Sequence, residues 1–173
     1  MKIEIEDFLF KKCDSSCFNE VLVIQSETFD ELIETDILRH NSESMLRKCL
    51  FPPHVTLGAW YGGVLTAFSI LYFPQDEDEE NLSLYLEKVD VRGLKTANKK
   101  LCIVRKDFRG NSLQYELARR LEPYAIEAGV GLICTTVSPK NLFSINSILR
   151  LGFTYNRTLI KYGFERSLYY KFI

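Results

Sequence analysis

The sequence predicts an α/β (α+β) fold, a mixed central sheet with helices on both faces, and three observations carry that reading. Short β-rich runs alternate with amphipathic stretches of helical period. Val55–Tyr61 and Val64–Tyr72 are both β-rich and are separated only by Gly62-Gly63, which suits a tight primed turn. Residues 101–121, LCIVRKDFRGNSLQYELARRL, pass from an apolar strand through a charged loop into an amphipathic helix.

In chain order, Ile3, Ile5 and Phe8 alternate with Glu4 and Glu6 and predict a first strand with one wet face. Asp14 to Ser16 form a cap cluster ahead of Phe18, Val21, Leu22 and Ile24, which space like a helix. Ile37, Leu38, Met45, Leu46 and Leu50 predict a second helix over 35–50, stopped by Pro52-Pro53. After the hairpin, 75–80 reads as a solvated acidic loop, 82–86 as a short ambiguous element and 92–100 as a polar, basic connector. Leu101–Val104 is the next strand, and Leu113, Leu117 and Leu121 then recur every fourth residue, with Pro123 expected to kink or split that helix. Leu132–Val137 has the composition of a buried strand, Leu142–Leu151 reads as a helix closed by Gly152, and 153–161 with 166–173 form a closing pair of strands around Tyr162-Gly163.

The chain of 173 residues fits one domain with its own core, and no linker or internal repeat divides it. A formal net charge of -1 gives no footprint for nonspecific nucleic-acid binding, and no apolar run approaches the ~18 residues of a membrane span. The N-terminus alternates and carries acids, unlike a secretory signal, so a cytoplasmic protein is expected. Cys13 and Cys17 have no histidine at ligand spacing, so no metal site is expected; Cys134, inside an apolar run, reads as a core residue. The sequence leaves a homodimer open.

The function lies in the middle of the chain. A loop reading Arg109-Gly110-Asn111-Ser112 at the start of a helix leaves several backbone N–H groups without partners, and with the helix dipole behind them they form a seat for a phosphate or pyrophosphate. Val104-Arg105-Lys106-Asp107-Phe108-Arg109-Gly110-Asn111-Ser112-Leu113-Gln114 resembles the strand exit and pyrophosphate loop of the GNAT superfamily of acyl-CoA-dependent N-acetyltransferases. Thr135-Thr136-Val137-Ser138-Pro139-Lys140-Asn141, followed by Ser144 and Leu151-Gly152-Phe153, resembles that superfamily's fifth strand and the helix after it. The resemblance covers 101–173 well and 1–100 in element order only.

The resemblance implies acetyl-CoA as co-substrate and a primary amine, of a small molecule or peptide, as acceptor. It implies fourth and fifth strands splayed apart, so that the main chain of Cys102, Ile103 and Val104 pairs with the pantetheine arm. The amides of Gly110, Asn111, Ser112, Leu113, Gln114 and Tyr115 would surround the pyrophosphate beside Arg109, and Asn141 and Ser144 would reach the pantetheine end. Ser112 stands where the family most often has glycine, and Lys106 where proline is usual. Ile148 occupies the position of a tyrosine that many members use to protonate the departing thiolate. For proton transfer the candidates are therefore Glu87 and Asp90, acids ahead of the fourth strand, with Tyr155, Tyr162 and Tyr85 as hydroxyl donors. Ile148 and Ser112 also motivate a second reading, a non-catalytic CoA-binding sensor or interaction protein on the same fold.

Overall fold

The computed structural model describes residues 2–173. Eleven regular elements follow in order: β1 (Leu9–Cys13), α1 (Phe18–Glu31), α2 (Glu43–Lys48), β2 (Val55–Tyr61), β3 (Val64–Tyr72), β4 (Thr96–Val104), α3 (Leu113–Glu127), β5 (Leu132–Val137), α4 (Leu142–Arg150), β6 (Thr154–Lys161) and β7 (Phe164–Phe172). The strands form one mixed sheet in the order β1-β2-β3-β4-β5-β7-β6, antiparallel throughout except for the β4–β5 pair.

Both faces are covered, as the alternation of strand and helix patterns requires. On one face Phe18, Val21 and Ile24 of α1 and Leu46 of α2 pack against Trp60, Phe68, Ile70, Leu101 and Ile103. On the other, the Leu113–Leu117–Leu121–Ala125 stripe of α3 and Ile148 of α4 pack against Leu57, Ala67, Leu71, Ala97 and Ile133. Each fully buried leucine in that stripe contributes about 2 kcal/mol of hydrophobic stabilisation, which holds the start of α3 firmly over the sheet. The β2–β3 hairpin turns at Gly62 (φ 56°) and Gly63 (φ 81°), both in the left-handed region that a primed turn demands.

Several local expectations give way to tertiary contacts. Ile5–Asp7 is a 3-10 turn and the first strand starts at Leu9; the Ile3 amide donates to Asn111 Oδ1 (2.9 Å), which draws this segment onto the loop before α3. The helix expected over 35–50 is helical only from Glu43, where the Ser42 hydroxyl caps the Met45 amide (3.2 Å). Ahead of it, the buried Gln25 amide exchanges hydrogen bonds with the Asn41 backbone (2.8 and 3.1 Å), holding 32–41 in an irregular path. The segment expected to be a basic connector supplies the first half of β4, from Thr96. Finally, α3 runs unbroken through Pro123, which lies on its exposed side.

Candidate functional site

The site begins with a defect in the sheet. Leu71 of β3 opposes Lys99 of β4 and Ile70 opposes Leu101, leaving Lys100 unopposed as a bulge. A bulge bends its strand, and β4 leaves β5 at this point: the two pair only over Thr96–Leu132, Ala97–Ile133 and Asn98–Cys134. The Thr135 hydroxyl donates to the Lys99 carbonyl (2.8 Å) at the fork. From there to Val104 the outer edge of β4 has no strand partner among the described residues, and a cleft opens between the two strands.

The loop after β4 and the start of α3 lie at the far end of this edge. Gly110 (φ 85°) and Ser112 (φ 58°) are both left-handed, which turns the chain abruptly into the helix. The amides of residues 110–115 have no hydrogen-bond acceptor among the described residues; the first one satisfied is that of Glu116, on the Ser112 carbonyl (3.0 Å). Ser112 holds a conformation that glycine adopts at less cost. Ser112→Gly is therefore expected to stabilise the fold by about 1 kcal/mol, read as a higher urea midpoint, because the strain relieved exceeds the entropy glycine adds to the unfolded chain. An unchanged or lower midpoint would refute that expectation.

The side chains singled out in the sequence divide into three groups. Cys102, Gln114, Asn141 and Ser144 line the cleft. There Gln114 donates to the Ser144 hydroxyl (2.7 Å), tying α3 to α4, and Asn141 Oδ1 caps α4 through the Ser144 amide (3.1 Å). Ile103 and Leu113 are buried in the two core layers, and the Asn111 side chain holds Ile3 and the Phe108 carbonyl (3.1 Å). Arg109 donates to the Val104 carbonyl (3.1 Å) and pairs with Glu31 (3.3 Å), closing the end of β4 against α1, while Tyr115 lies under Arg150.

Of the five acid–base candidates, the structure places Glu87, Asp90, Tyr155 and Tyr85 outside the cleft lining. Glu87 is exposed and pairs with Arg157, its backbone held by Asn156; Asp90 is exposed and closes a local ion pair with Arg92; Tyr155 is exposed on β6 and shares a hydrogen bond with Thr158. Sequence order brought Glu87 and Asp90 near the start of β4, but the loop that carries them runs outside the cleft, and Tyr155 lies on the edge strand β6. Tyr162 is the one tyrosine of the three candidates on the cleft. Ile148 is fully buried under α3. Cys134 sits between Leu132 and Leu168, and burial pushes its thiol up to about 12. His54 is a structural acceptor: its Nδ1 takes the Phe73 amide (3.1 Å), and burial, with Lys48 and Lys100 nearby, holds it neutral down to about pH 4.

What sequence reasoning missed is a charged cluster at the cleft's other wall. Glu80, from the acidic run read as solvated, is buried and accepts a two-pronged contact from Arg39 (2.8 and 2.9 Å) and a bond from Lys100. The Tyr162 hydroxyl donates to the same carboxylate (3.3 Å), with Arg39 stacked on its ring. Burial alone would raise the Glu80 carboxyl, but the hydrogen bonds and charges of Arg39 and Lys100 outweigh it and hold it at about 2. Burial, and the Glu80 charge after it, push the Tyr162 phenol far up, so it stays protonated. In all, three cations (Arg39, Lys100 and Arg166) line the cleft against the one carboxylate of Glu80; Lys99 lines it too, but burial pushes its ammonium down. The only sequence signal was the polar run Asn98-Lys99-Lys100, which breaks the apolar pattern of β4 because it faces a cleft.

Among the described residues, no helix is long and apolar enough to cross a membrane, and no three His, Cys, Asp or Glu side chains gather as metal ligands. No protein-family model matches the chain, and no curated protein matches it in sequence. Solved structures do match over nearly the whole chain. An acetyltransferase of the GNAT family from Streptococcus pneumoniae aligns at a TM-score of 0.69 and 15% identity, covering 96% of this chain and 99% of that one. A proposed acetyltransferase from Salmonella typhimurium, solved with its cofactor acetyl-CoA, aligns at 0.72 and 15%, covering 96% and 94%. The ribosomal-protein-alanine N-acetyltransferase from Brucella melitensis aligns at 0.73 and 14%, covering 95% and 99%. With its forked central strands and its helix order, the chain has the fold of the GNAT acetyltransferases.

Proposed function

We propose that this protein is an N-acetyltransferase that moves an acetyl group from acetyl-CoA to an amine. The observation that carries the reading is a succession along the chain: beyond the fork the outer edge of β4 has no strand partner, though Thr135 and Arg109 hold the Lys99 and Val104 carbonyls at its two ends, and it leads on to the free amides of residues 110–115. A pantetheine arm is a chain of amides and can pair with the first, and a diphosphate needs the second. The residues present therefore fit CoA: the main chain of Cys102, Ile103 and Val104 along the arm, the amides of 110–115 on the diphosphate, and Asn141 and Ser144 from the α4 wall. When bound, acetyl-CoA supplies an activated acyl carbon.

The acceptor nitrogen forms a bond to that carbon as the C–S bond breaks, the electron pair leaves with sulfur, and the amine gives up one proton. An amine must be neutral to attack, and the excess of cations over Glu80 disfavours its ammonium form inside the cleft. Ile148 has no proton to give the thiolate, and Tyr162, though on the cleft, spends its hydroxyl on Glu80 and holds its proton too tightly to release it, so the thiolate takes its proton from water.

Calorimetry with acetyl-CoA tests the reading directly. Saturable binding in the micromolar range is expected, and no heat at millimolar ligand would remove it. The apolar burial of Ile148 favours a second reading, a CoA-binding sensor, and the two part on turnover: thiol release across a panel of amines marks the enzyme, and tight binding with no release marks the sensor.

A further inference from the structure

Two buried polar atoms on the cleft have no hydrogen-bond partner among the described residues: Arg166 Nη2 and Asn98 Oδ1. Both residues are almost wholly enclosed, Arg166 at 3% exposed and Asn98 at 1%. An unmatched guanidinium nitrogen is a strong donor without an acceptor, and an unmatched amide oxygen is an acceptor without a donor; each is costly to leave so. The other prongs are engaged. Arg166 Nη1 donates to the carbonyls of Asp36 (2.6 Å) and Glu165 (3.0 Å), and Asn98 Nδ2 to the Glu80 carbonyl.

No carboxylate forms an ion pair with Arg166. The Asp36 carboxylate lies near enough for its charge to favour the guanidinium but is itself paired with Lys140 (3.1 Å), and Glu80 is taken by Arg39 and Lys100. Asn98 stands at the fork, on the last paired rung between β4 and β5, and Arg166 stands on β7 one residue beyond that strand's last rung with β5, at Ser167. The cleft lining thus holds an unmatched acceptor oxygen at the fork and an unmatched guanidinium nitrogen on the β7 side, both enclosed just behind its wall.

Building on the acetyltransferase reading, we infer that the acceptor is an amine that also carries a carboxylate. The amine donates to Asn98 Oδ1 at the fork, where the acyl carbon arrives, and the carboxylate accepts from Arg166 Nη2. The substrate's own charge then offsets the cationic excess of the cleft, which a simple alkylamine would leave uncompensated.

The test compares glycine, γ-aminobutyrate and 6-aminohexanoate, each against its own carboxamide, as acceptors with the full chain and acetyl-CoA. At least one pair is expected to favour the carboxylate by about 30-fold or more in kcat/KM, the range of a buried charge-assisted hydrogen bond. In Arg166→Lys, which keeps the charge but loses the planar fork, that ratio falls toward one, chiefly through KM for the carboxylate. Acetyl-CoA affinity, measured alongside, separates the two levels of the argument. If acetyl-CoA binds and the carboxamides react as well as the carboxylates, or no carboxylate reacts at all, the acceptor assignment is overturned while the CoA site stands. If acetyl-CoA does not bind, both fall.

Discussion

Gly110→Glu is expected to weaken acetyl-CoA binding by at least about 100-fold. Gly110 lies at φ 85°, and a Cβ built there meets nothing within 4 Å, so the new side chain has room and projects from the loop whose amides are free. Its carboxylate would stand against a diphosphate. One unit charge about 5 Å from another costs on the order of 3 kcal/mol at the effective dielectric of a protein surface, which is about two orders of magnitude in affinity. The left-handed backbone adds strain to any side chain, so Gly110→Gln is the matched control, with the same shape and strain and no charge. The glutamine variant should lose only a few-fold. Calorimetry on the three proteins decides, and near-wild-type affinity in the glutamate variant would remove this loop as the diphosphate seat.

Glu80→Gln should cost about 3–5 kcal/mol of folding stability at pH 7, measured by urea unfolding. The substitution keeps the shape and deletes the charge that Arg39, Lys100 and Tyr162 share, and Lys100 is too enclosed (5% side-chain exposure) to recover its loss from water. The same ion cluster predicts an acid profile. The Glu80 carboxyl lies at about 2 in the fold against an ordinary 4.5, so its contribution, about 3 kcal/mol, is complete above pH 4.5 and disappears as pH falls toward 2. The variant should lack that segment of the acid decline. A loss below 1 kcal/mol at pH 7 would show that Arg39 and Lys100 find other partners.

The parts of the site built on local backbone were legible in the chain. The Arg109-Gly110-Asn111-Ser112 turn could be read because left-handed residues before an amphipathic helix leave a signature in residue type, and the β2–β3 hairpin because Gly62-Gly63 leaves one too. The wall that faces the acceptor was not legible. Glu80 comes from an acidic run that looks solvated, Arg39 from a segment with helical spacing, and Tyr162 and Arg166 from the last hairpin. Their common feature is a meeting place, and one carboxylate drawing two cations and a phenol across more than eighty residues leaves no periodic trace. Glu87 and Asp90 lie off the cleft for the converse reason: nearness along the chain to β4 says nothing about which side of the sheet edge a loop follows, and Tyr155, on β6, had no positional signal in the sequence.

By itself, then, the sequence determined the alternation of strands and helices, the two-sided burial of the sheet and the turn that frees a row of amides, all encoded in apolar period and in residues that tolerate positive φ. The family resemblance implied that β4 and β5 part; only the tertiary structure decided that they do so after three rungs, that β7 inserts between β5 and β6, and that Arg39, Glu80, Lys100, Tyr162 and Arg166 converge on the gap. Pairing, burial and charge compensation are relations between distant segments, settled when the sheet closes around its bulge.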